Sequence, residues 1–497
     1  MTAFLQQYIS PALPVILWLF RGVTAGLAVW LLVRCCKSLF RGRDRENWGF
    51  VTLSNGARYE LYHWENVIGR ARRADIRVNF PSVSRTHAIL QRDDGGTWRV
   101  DPINRSSGVL LNGKRTLVPA NLNPGDSIAL GGVELFFFPS EQPQHTGQPK
   151  KRPSPVGSLW LLTFIQLLLW GQFAPGFGAE NIYPVSAGFF GLCCLGWALY
   201  GVSRRLHRRQ FDLETLALLL ATVGFAITAA WDPGALYKQL AAVALGMGIY
   251  CVLVWLLGRL QLAVKLRWPA AGLAAALLAF NVVMGERIFG AKNWISVGPI
   301  SFQPSELVKL AFVLAGAATL DRLFAKRNLI FTVLFSAYCV GCLALMSDFG
   351  TALVFFVAFL CIAFLRTGDL ASIVMMTAAA GFAGGLMLHF KPYIADRFTV
   401  WRHAWEFAQS TGYQQTRTMS AVASGGLFGA GPTDAWLKYV GAANTDLVFG
   451  VVSEEFGLLL ALCAVAAIIL IAVFAITSAA TARSSFYTIA SCAAAAM

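Results

Sequence analysis

Along most of this chain apolar residues run on without a break, in stretches long enough to cross a bilayer, and polar residues gather in the gaps. About 20 consecutive apolar residues are needed to carry a helix through the hydrocarbon core. Beyond residue 156 such stretches lie near 157–175, 183–203, 213–231, 236–258, 267–284, 306–323, 328–346, 350–366, 370–390 and 446–476, and a last partial one begins near Phe486. An earlier run, about Pro11 to Val33, is interrupted by Arg21 and followed by Arg34, Lys37, Arg41, Arg43 and Arg45. It is too long for a signal-peptide core and lacks a small-residue cleavage site, so it reads as a membrane anchor.

Between the anchor and the later spans the pattern changes. Short β-type runs at 50–53, 58–62, 88–91, 98–100 and 133–138 are separated by turn signals such as Ser54-Asn55-Gly56, Asp94-Gly95-Gly96 and Asn123-Pro124-Gly125-Asp126. Many short strands at this spacing predict a β-sandwich. The fold class expected is a polytopic α-helical membrane protein with an inserted all-β domain. Its parts are an anchor with its basic flank at 1–46, a sandwich at 47–139, a polar linker at 140–156, two additional membrane helices at 157–212 and a membrane domain at 213–497.

Composition agrees. Of 497 residues 56% are hydrophobic and only 13% charged, with a mean hydropathy of +0.57. A soluble domain carries roughly a quarter charged residues, so a soluble enzyme, a disordered chain and a secreted disulfide scaffold are excluded. The ten cysteines lie almost entirely in apolar runs, and they suggest neither a disulfide framework nor a metal site. The net charge of +15 does not point to nucleic acid, because Lys and Arg cluster in short loops between apolar runs. Counting spans from a cytoplasmic linker at Lys150, Lys151 and Arg152 puts every strongly basic loop on one side, including Arg204–Arg209. The stretches 285–304 and 391–445 then face outward, where chemistry is expected.

In the first outward stretch a loop turns into a helix start: Pro304 suits the first turn, Ser305 and Glu306 suit capping, and Glu306 and Lys309 share one face. Ionisable groups at a membrane-helix entrance are functional candidates, although an ordinary capped helix with an ion pair has the same appearance. In the second stretch Lys391, Arg397, Arg402 and Arg417 would suit an anionic leaving group, or form a merely solvated set of charges.

Inside the sandwich the order Ile68-Gly69-Arg70, Ser84-Arg85-Thr86-His87 and Asn112-Gly113 resembles a forkhead-associated (FHA) domain. The resemblance implies phosphothreonine-peptide binding, with Arg70, Ser84 and Arg85 on the phosphate and His87 bracing the loop from within. Ser107 stands where the next binding loop of the family usually carries Asn. The alternative is a docking module that has lost phosphopeptide binding.

Further along come Gly290-Ala291-Lys292-Asn293-Trp294-Ile295, Phe302-Gln303-Pro304-Ser305-Glu306 with Lys309, and Ser347-Asp348-Phe349-Gly350-Thr351-Ala352. Gly412-Tyr413-Gln414, Ser424-Gly425-Gly426-Leu427-Phe428-Gly429-Ala430-Gly431, Thr445-Asp446 and Glu454-Glu455-Phe456-Gly457 follow in order. Together these resemble the SEDS family, to which the FtsW, RodA and SpoVE proteins belong, over about residues 213–497. That resemblance implies a peptidoglycan glycosyltransferase that polymerises lipid II at the outer face of the bacterial cytoplasmic membrane, in cell division or cell-shape maintenance. It also implies a class B penicillin-binding protein as partner. The FHA domain, on the cytoplasmic side, implies a phosphothreonine-containing partner and a Ser/Thr kinase pathway. Substrate contacts are expected at Lys292, Trp294, Glu306, Lys309, Arg397, Arg402 and Gln414. No cofactor is expected, and whether a divalent cation is required is left open.

The chain departs from the family pattern in two places. The catalytic Asp of the outer loop falls, by register from Trp405-Glu406 and Gly412-Tyr413-Gln414, on Phe407, which cannot take a proton. Glu406 is the adjacent candidate base, with Asp396 and Asp434 further off. The family's tenth helix and its Pro-x-x-Ser-Tyr-Gly-Gly motif are missing before Met497, which suggests a truncated sequence. Three readings follow: an active polymerase, a catalytically weak scaffold of the wall machinery, and a transporter of lipid-linked precursors.

Overall fold

The structure, a computed structural model, describes residues 13–40, 46–72, 74–103, 108–145, 153–175, 178–206, 208, 210–288, 291–297, 300–319, 326–367, 370–390, 400–432 and 434–497. It resolves into two compact units interleaved along the chain: residues 1–41, 150–252 and 376–472, and residues 42–149, 253–375 and 473–497.

The first unit is helical. Helix α1 (Leu13–Phe40) packs on α2 (Pro155–Phe173) and on α4 (Asp212–Trp231), and α2 also packs on α3 (Ala179–Arg205). Several polar groups inside these apolar helices find partners within the unit. Ser38 Oγ donates to Asp212 at 2.6 Å, Arg34 donates to Ser158 Oγ at 2.9 Å and to the Ser154 carbonyl at 2.7 Å, and Gln166 Nε2 donates to Thr222 Oγ1 at 3.1 Å. This is what a hydrocarbon surround requires, since no water is there to satisfy them. Helix α5 (Leu236–Leu257) begins in this unit, as does Tyr250, which with Arg208 and Glu214 forms a three-way polar cluster.

The second unit joins the sandwich to further helices. One sheet has the order β2-β1-β11-β10-β7-β8 and the other β4-β3-β5-β6-β9. Their strands are β1 (Glu46–Leu53), β2 (Arg58–Glu60), β3 (Glu65–Gly69), β4 (Ile76–Arg77), β5 (Ala88–Arg92), β6 (Trp98–Pro102), β7 (Val109–Leu111), β8 (Lys114–Thr116), β9 (Ala120–Leu122), β10 (Ser127–Leu130) and β11 (Val133–His145). Alternate residues of β1, β6, β10 and β11 point inward, so Val51, Val100, Ile128, Leu135 and Phe137 form the core between the sheets. Strand β11 runs past residue 139 into the stretch read as linker and pairs His145 with Glu46.

The helices of this unit are α6 (Leu260–Lys265), α7 (Arg267–Met284), α8 (Pro304–Ala318), α9 (Lys326–Leu345), α10 (Phe349–Thr367) and α15 (Ser485–Ala496). Helix α8 packs on α7, α10 and α15, with Phe312 stacked on Phe335 and edge-on to Phe355. Helices α11 (Leu370–Phe390) and α14 (Leu458–Ala479) run across the division of the chain, and α12 (Tyr413–Gly425) and α13 (Val448–Phe456) belong to the first unit. Among the described residues seven helices are long and apolar enough to cross a membrane, and the molecule is a polytopic helical membrane protein carrying a β-sandwich.

Three details differ from the sequence reading. The outward loop at 285–304 is a three-stranded antiparallel meander, β12 (Glu286–Ile288), β13 (Ala291–Val297) and β14 (Ile300–Phe302). Its alternation of polar and apolar residues is short enough to pass for loop. The apolar stretch 446–476 is two helices, because Gly457 at φ +96° lies where the chain leaves helical geometry. Pro304 does occupy the first turn of α8, but the capping position falls on Gln303, whose side chain makes no cap bond, and the buried Ser305 hydroxyl has no partner among the described residues.

The sandwich is bonded to the segment between α14 and α15. Glu65 accepts from Ser484 Oγ at 2.8 Å, from the Ser485 amide at 2.9 Å and from the Ser485 hydroxyl, placing a carboxylate at the N-terminus of α15, where the helix dipole favours it. The Trp64 amide donates to the Arg483 carbonyl at 2.6 Å, and the Arg483 guanidinium lies 4.9 Å from the Trp64 ring. Arg92 sits over Trp48 and Trp64, where burial lowers its pKa against the opposing pull of Asp93. In the turn between β5 and β6, Asp94 accepts from the Gln261 amide at 3.0 Å. Glu65→Ala should remove about 1.5–3 kcal/mol of charge-assisted bonding and free this segment. Trypsin should then cleave after the exposed Arg483 several-fold faster than in the parent protein, as read from fragment yield under native conditions.

Candidate functional site

The loop end of β3 gathers three of the four predicted phosphate contacts. Arg70 follows Gly69 and is exposed; its amide donates to the Ser84 carbonyl at 3.0 Å, and the Ala71 amide donates to the Arg85 carbonyl at 3.0 Å. This approach needs glycine, since a Cβ on Gly69 would stand 2.3 Å from the Arg85 carbonyl oxygen. His87 is fully buried; its Nδ1 accepts the Ser84 amide at 3.2 Å, which leaves Nε2–H to donate to the Gly108 carbonyl at 2.9 Å. The histidine therefore ties the Ser84 loop to the next loop, as the sequence suggested. Ser107 lies outside the described residues. With Arg70, Ser84 and Arg85 side by side, this surface offers the guanidinium and hydroxyl groups that suit a phosphate.

A second polar cluster lies where the meander meets α8 and α10. Asp348, just before α10, accepts from Asn293 Nδ2 at 3.0 Å, from Gln303 Nε2 at 3.2 Å and from the Thr351 amide at 3.2 Å. One turn into α8, Lys309 Nζ is 2.7 Å from Glu306 Oε1, and the Glu306 carboxylate is largely exposed. Lys292 is used locally: its Nζ donates to the Val282 and Val283 carbonyls at 2.9 and 3.0 Å, satisfying the open end of α7. Trp294 pairs across the meander with Glu286. Asp348 was not among the predicted site residues; its signal was an acid at the mouth of an apolar helix.

In the first unit, Glu406 is exposed and its carboxylate lies 3.0 Å from His403 Nδ1, while Phe407 beside it is 37% exposed and so open to solvent. Arg402 takes a left-handed backbone at φ +71° and lies 5.4 Å from the Trp401 ring. Gln414 Nε2 donates to the Gly441 carbonyl at 3.0 Å, and Arg417 lies over Tyr413 at 5.1 Å. Asp396 and Arg397 fall outside the described residues. Asp434 is exposed, on the loop after α12.

That glycine-rich loop is clamped to the end of α13. The Ala430 and Gly431 amides donate to the Glu454 and Glu455 carbonyls at 2.7 and 3.0 Å, and the Glu454 carboxylate accepts the Trp436 and Leu437 amides at 3.1 and 2.9 Å. Gly429 has φ +86°, and a Cβ there would meet the Glu455 carbonyl oxygen at 2.4 Å. The Glu455 carboxylate is fully buried, with no hydrogen-bond partner among the described residues. Sequence reasoning quoted the Glu-Glu pair as a motif without assigning it a role. Among the described residues no group of three His, Cys, Asp or Glu side chains is placed to hold a metal.

Gly69→Ala forces the Arg85 backbone outward. Overpacking of this kind costs about 1–3 kcal/mol, so amide hydrogen exchange in β3 and β5 should quicken by roughly 5- to 150-fold.

Comparison with known proteins bears on both sites. The model of the cell cycle protein family FtsW/RodA/SpoVE matches residues 215–497, and that of the FHA domain matches residues 66–131. The chain is 31% identical over 201 residues to a probable peptidoglycan glycosyltransferase FtsW of Nitrosococcus halophilus, covering 39% of this chain and 52% of that one. To the protein of the same description from Saccharophagus degradans it is 28% identical over 307 residues, covering 56% and 74%. The chain thus spans about half to three quarters of the length of these relatives. Among solved structures, a chain of a peptidoglycan synthase complex gives a TM-score of 0.46 at 26% identity, covering 57% of this chain and 82% of that one. The Thermus thermophilus rod shape determining protein RodA gives 0.41 at 25%, covering 57% and 80%. With more than half of its length matched by one family model, the chain belongs to the FtsW/RodA/SpoVE family of cell cycle proteins, and it carries an FHA domain ahead of the matched region.

Proposed function

We propose that this protein is a peptidoglycan glycosyltransferase that polymerises lipid II at the outer face of the bacterial cytoplasmic membrane, together with a class B penicillin-binding protein. Its FHA domain, on the cytoplasmic side, docks a phosphothreonine on a partner within a Ser/Thr kinase pathway. The observation that carries the reading is the family match over 215–497, which takes in the Asp348 cluster, the Glu306–Lys309 pair and the loop around Glu406.

Chain growth joins an acceptor hydroxyl to the anomeric carbon of the donor and expels a lipid diphosphate. One group must take the hydroxyl proton, and cations must meet the charge that develops on the diphosphate. Glu406, beside the position where the family carries its acid, is the proposed base, with Asp434 and Asp396 in reserve. Arg397 and Arg402 are proposed for the diphosphate, and Trp294, Glu306, Lys309 and Gln414 as further substrate contacts. Phe407 favours one other reading, a catalytically weak homologue that scaffolds the wall machinery.

The test is lipid II polymerisation by the purified full-length protein, alone and with its cognate class B partner. Glu406→Ala should lower the rate by about 10²–10⁴-fold, the usual contribution of a positioned base. Glycan formation that survives the mutation moves the base to Asp434 or Asp396. Product only after Phe407→Asp establishes the scaffold. For the FHA domain, Arg70→Ala should weaken binding of a phosphothreonine peptide at least about tenfold, the scale of one charge-assisted contact; unchanged binding by calorimetry would remove the phosphopeptide from the reading.

A further inference from the structure

We propose that a half-open cavity between α1, the end of α2 and the loop after α12 is a binding site for a sugar ring. The cavity measures about 240 Å³ and is lined by Leu17, Arg21, Gln172, Pro175, Gly431 and Asp434, among others. At about 30 Å³ of liquid volume per molecule, it would hold roughly eight waters. All of its walls belong to the first unit. Arg21 and Gln172 come from helices ahead of the family-matched segment 215–497 and Gly431 and Asp434 from within it, so the site exists only where the N-terminal helices meet the matched region.

Three observations converge on it. Arg21 stands about 12 Å along an apolar helix, at 1.5 Å per residue from Leu13. A charge at such a position normally faces a partner or a water-filled space. Its guanidinium does both, donating to the Gly429 carbonyl of the glycine-rich loop while lining the cavity. Trp18, one turn before it, packs edge-on to Phe428 at 5.3 Å and helps fix that loop. The second observation is Gln172, 4% exposed, with neither its amide oxygen nor its amide nitrogen bonded among the described residues. Gln166 on the same helix has found Thr222. Buried amides left open in this way call for a ligand or water.

The third observation is the balance of charge. Arg21 supplies donors, Asp434 acceptors and Gln172 one of each, around a net charge of zero. A hydroxyl group needs both a donor and an acceptor, and a ring bearing several hydroxyls would satisfy all three side chains. A phosphate would meet the Asp434 carboxylate, and an acyl chain would offer no hydrogen bond to any of the three side chains. The inference rests on the glycosyltransferase reading for the origin of the sugar, an acetylated hexosamine of the lipid-linked or polymerised glycan, but the binding itself requires no turnover.

The probe is the N-acetylglucosamine disaccharide, diacetylchitobiose, added to the full-length protein in detergent micelles and read by saturation-transfer NMR. Gln172→Leu keeps the volume of the side chain and removes both open polar atoms; it should leave thermal unfolding no lower and weaken disaccharide binding at least tenfold. Arg21→Ala should weaken it likewise, and Arg58→Ala on the exposed sandwich surface should leave it unchanged. No saturation transfer to the disaccharide, or equal binding by Gln172→Leu, overturns the proposal. So does Arg21-dependent binding of inorganic pyrophosphate without the disaccharide, which would mark an anion site. A protein that binds the disaccharide through Gln172 yet makes no glycan keeps this site and loses the polymerase reading.

Discussion

A charged or hydrogen-bonding group in an apolar helix must find its partner inside the protein, because the surrounding hydrocarbon supplies none. The helices of the first unit depend on this. Arg34 closes α1 onto the start of α2, Ser38 and Asp212 join α1 to α4, and Glu214 and Tyr250 join α4 to α5, with Arg208 of the preceding loop bonded to both. Each pairing fixes which face of an otherwise featureless apolar cylinder turns inward. The same requirement explains why the glycine-rich loop is held by backbone bonds to the end of α13. With Gly429 in a left-handed conformation the chain can lie directly on the Glu454 and Glu455 carbonyls.

The sandwich obeys a different rule. Its fold comes from alternating side chains that fill one core, and its chemistry from loops that the core holds still. The histidine that organises the Arg70 loop is wholly inside, so its contribution is geometric. One end of β3 presents Arg70 and the other presents Glu65, which bonds to the start of α15. At about 3.3 Å per residue, the five residues of β3 separate these ends by about 17 Å. The candidate phosphate-binding loop and the attachment to α15 thus lie at opposite ends of one strand.

Much of this was legible in the sequence. The membrane helices follow from uninterrupted apolar length, which no other fold uses so lavishly, and the FHA loops follow from the Gly-Arg and Ser-x-x-His spacing. What escaped was set by long-range geometry. The meander at 286–302 consists of strands of three to seven residues, too short for a clear period. Asp348 gains its place only when Asn293 and Gln303, far off in sequence, are folded against it. Lys292 was expected to meet substrate from the resemblance of its motif, and the sequence carried no sign that its Nζ also closes the end of α7. The attachment through Glu65 had no local signal at all, since its partners lie more than 400 residues away.

The pairing of Glu46 with His145 brings the two chain ends of the sandwich side by side, about 5 Å apart as in any antiparallel pair. The hundred residues from Glu46 to His145 therefore begin and end at nearly a single point. A domain closed on itself in this way needs only two adjacent connections to the rest of the chain, and Glu65 adds a third tie, to the start of α15.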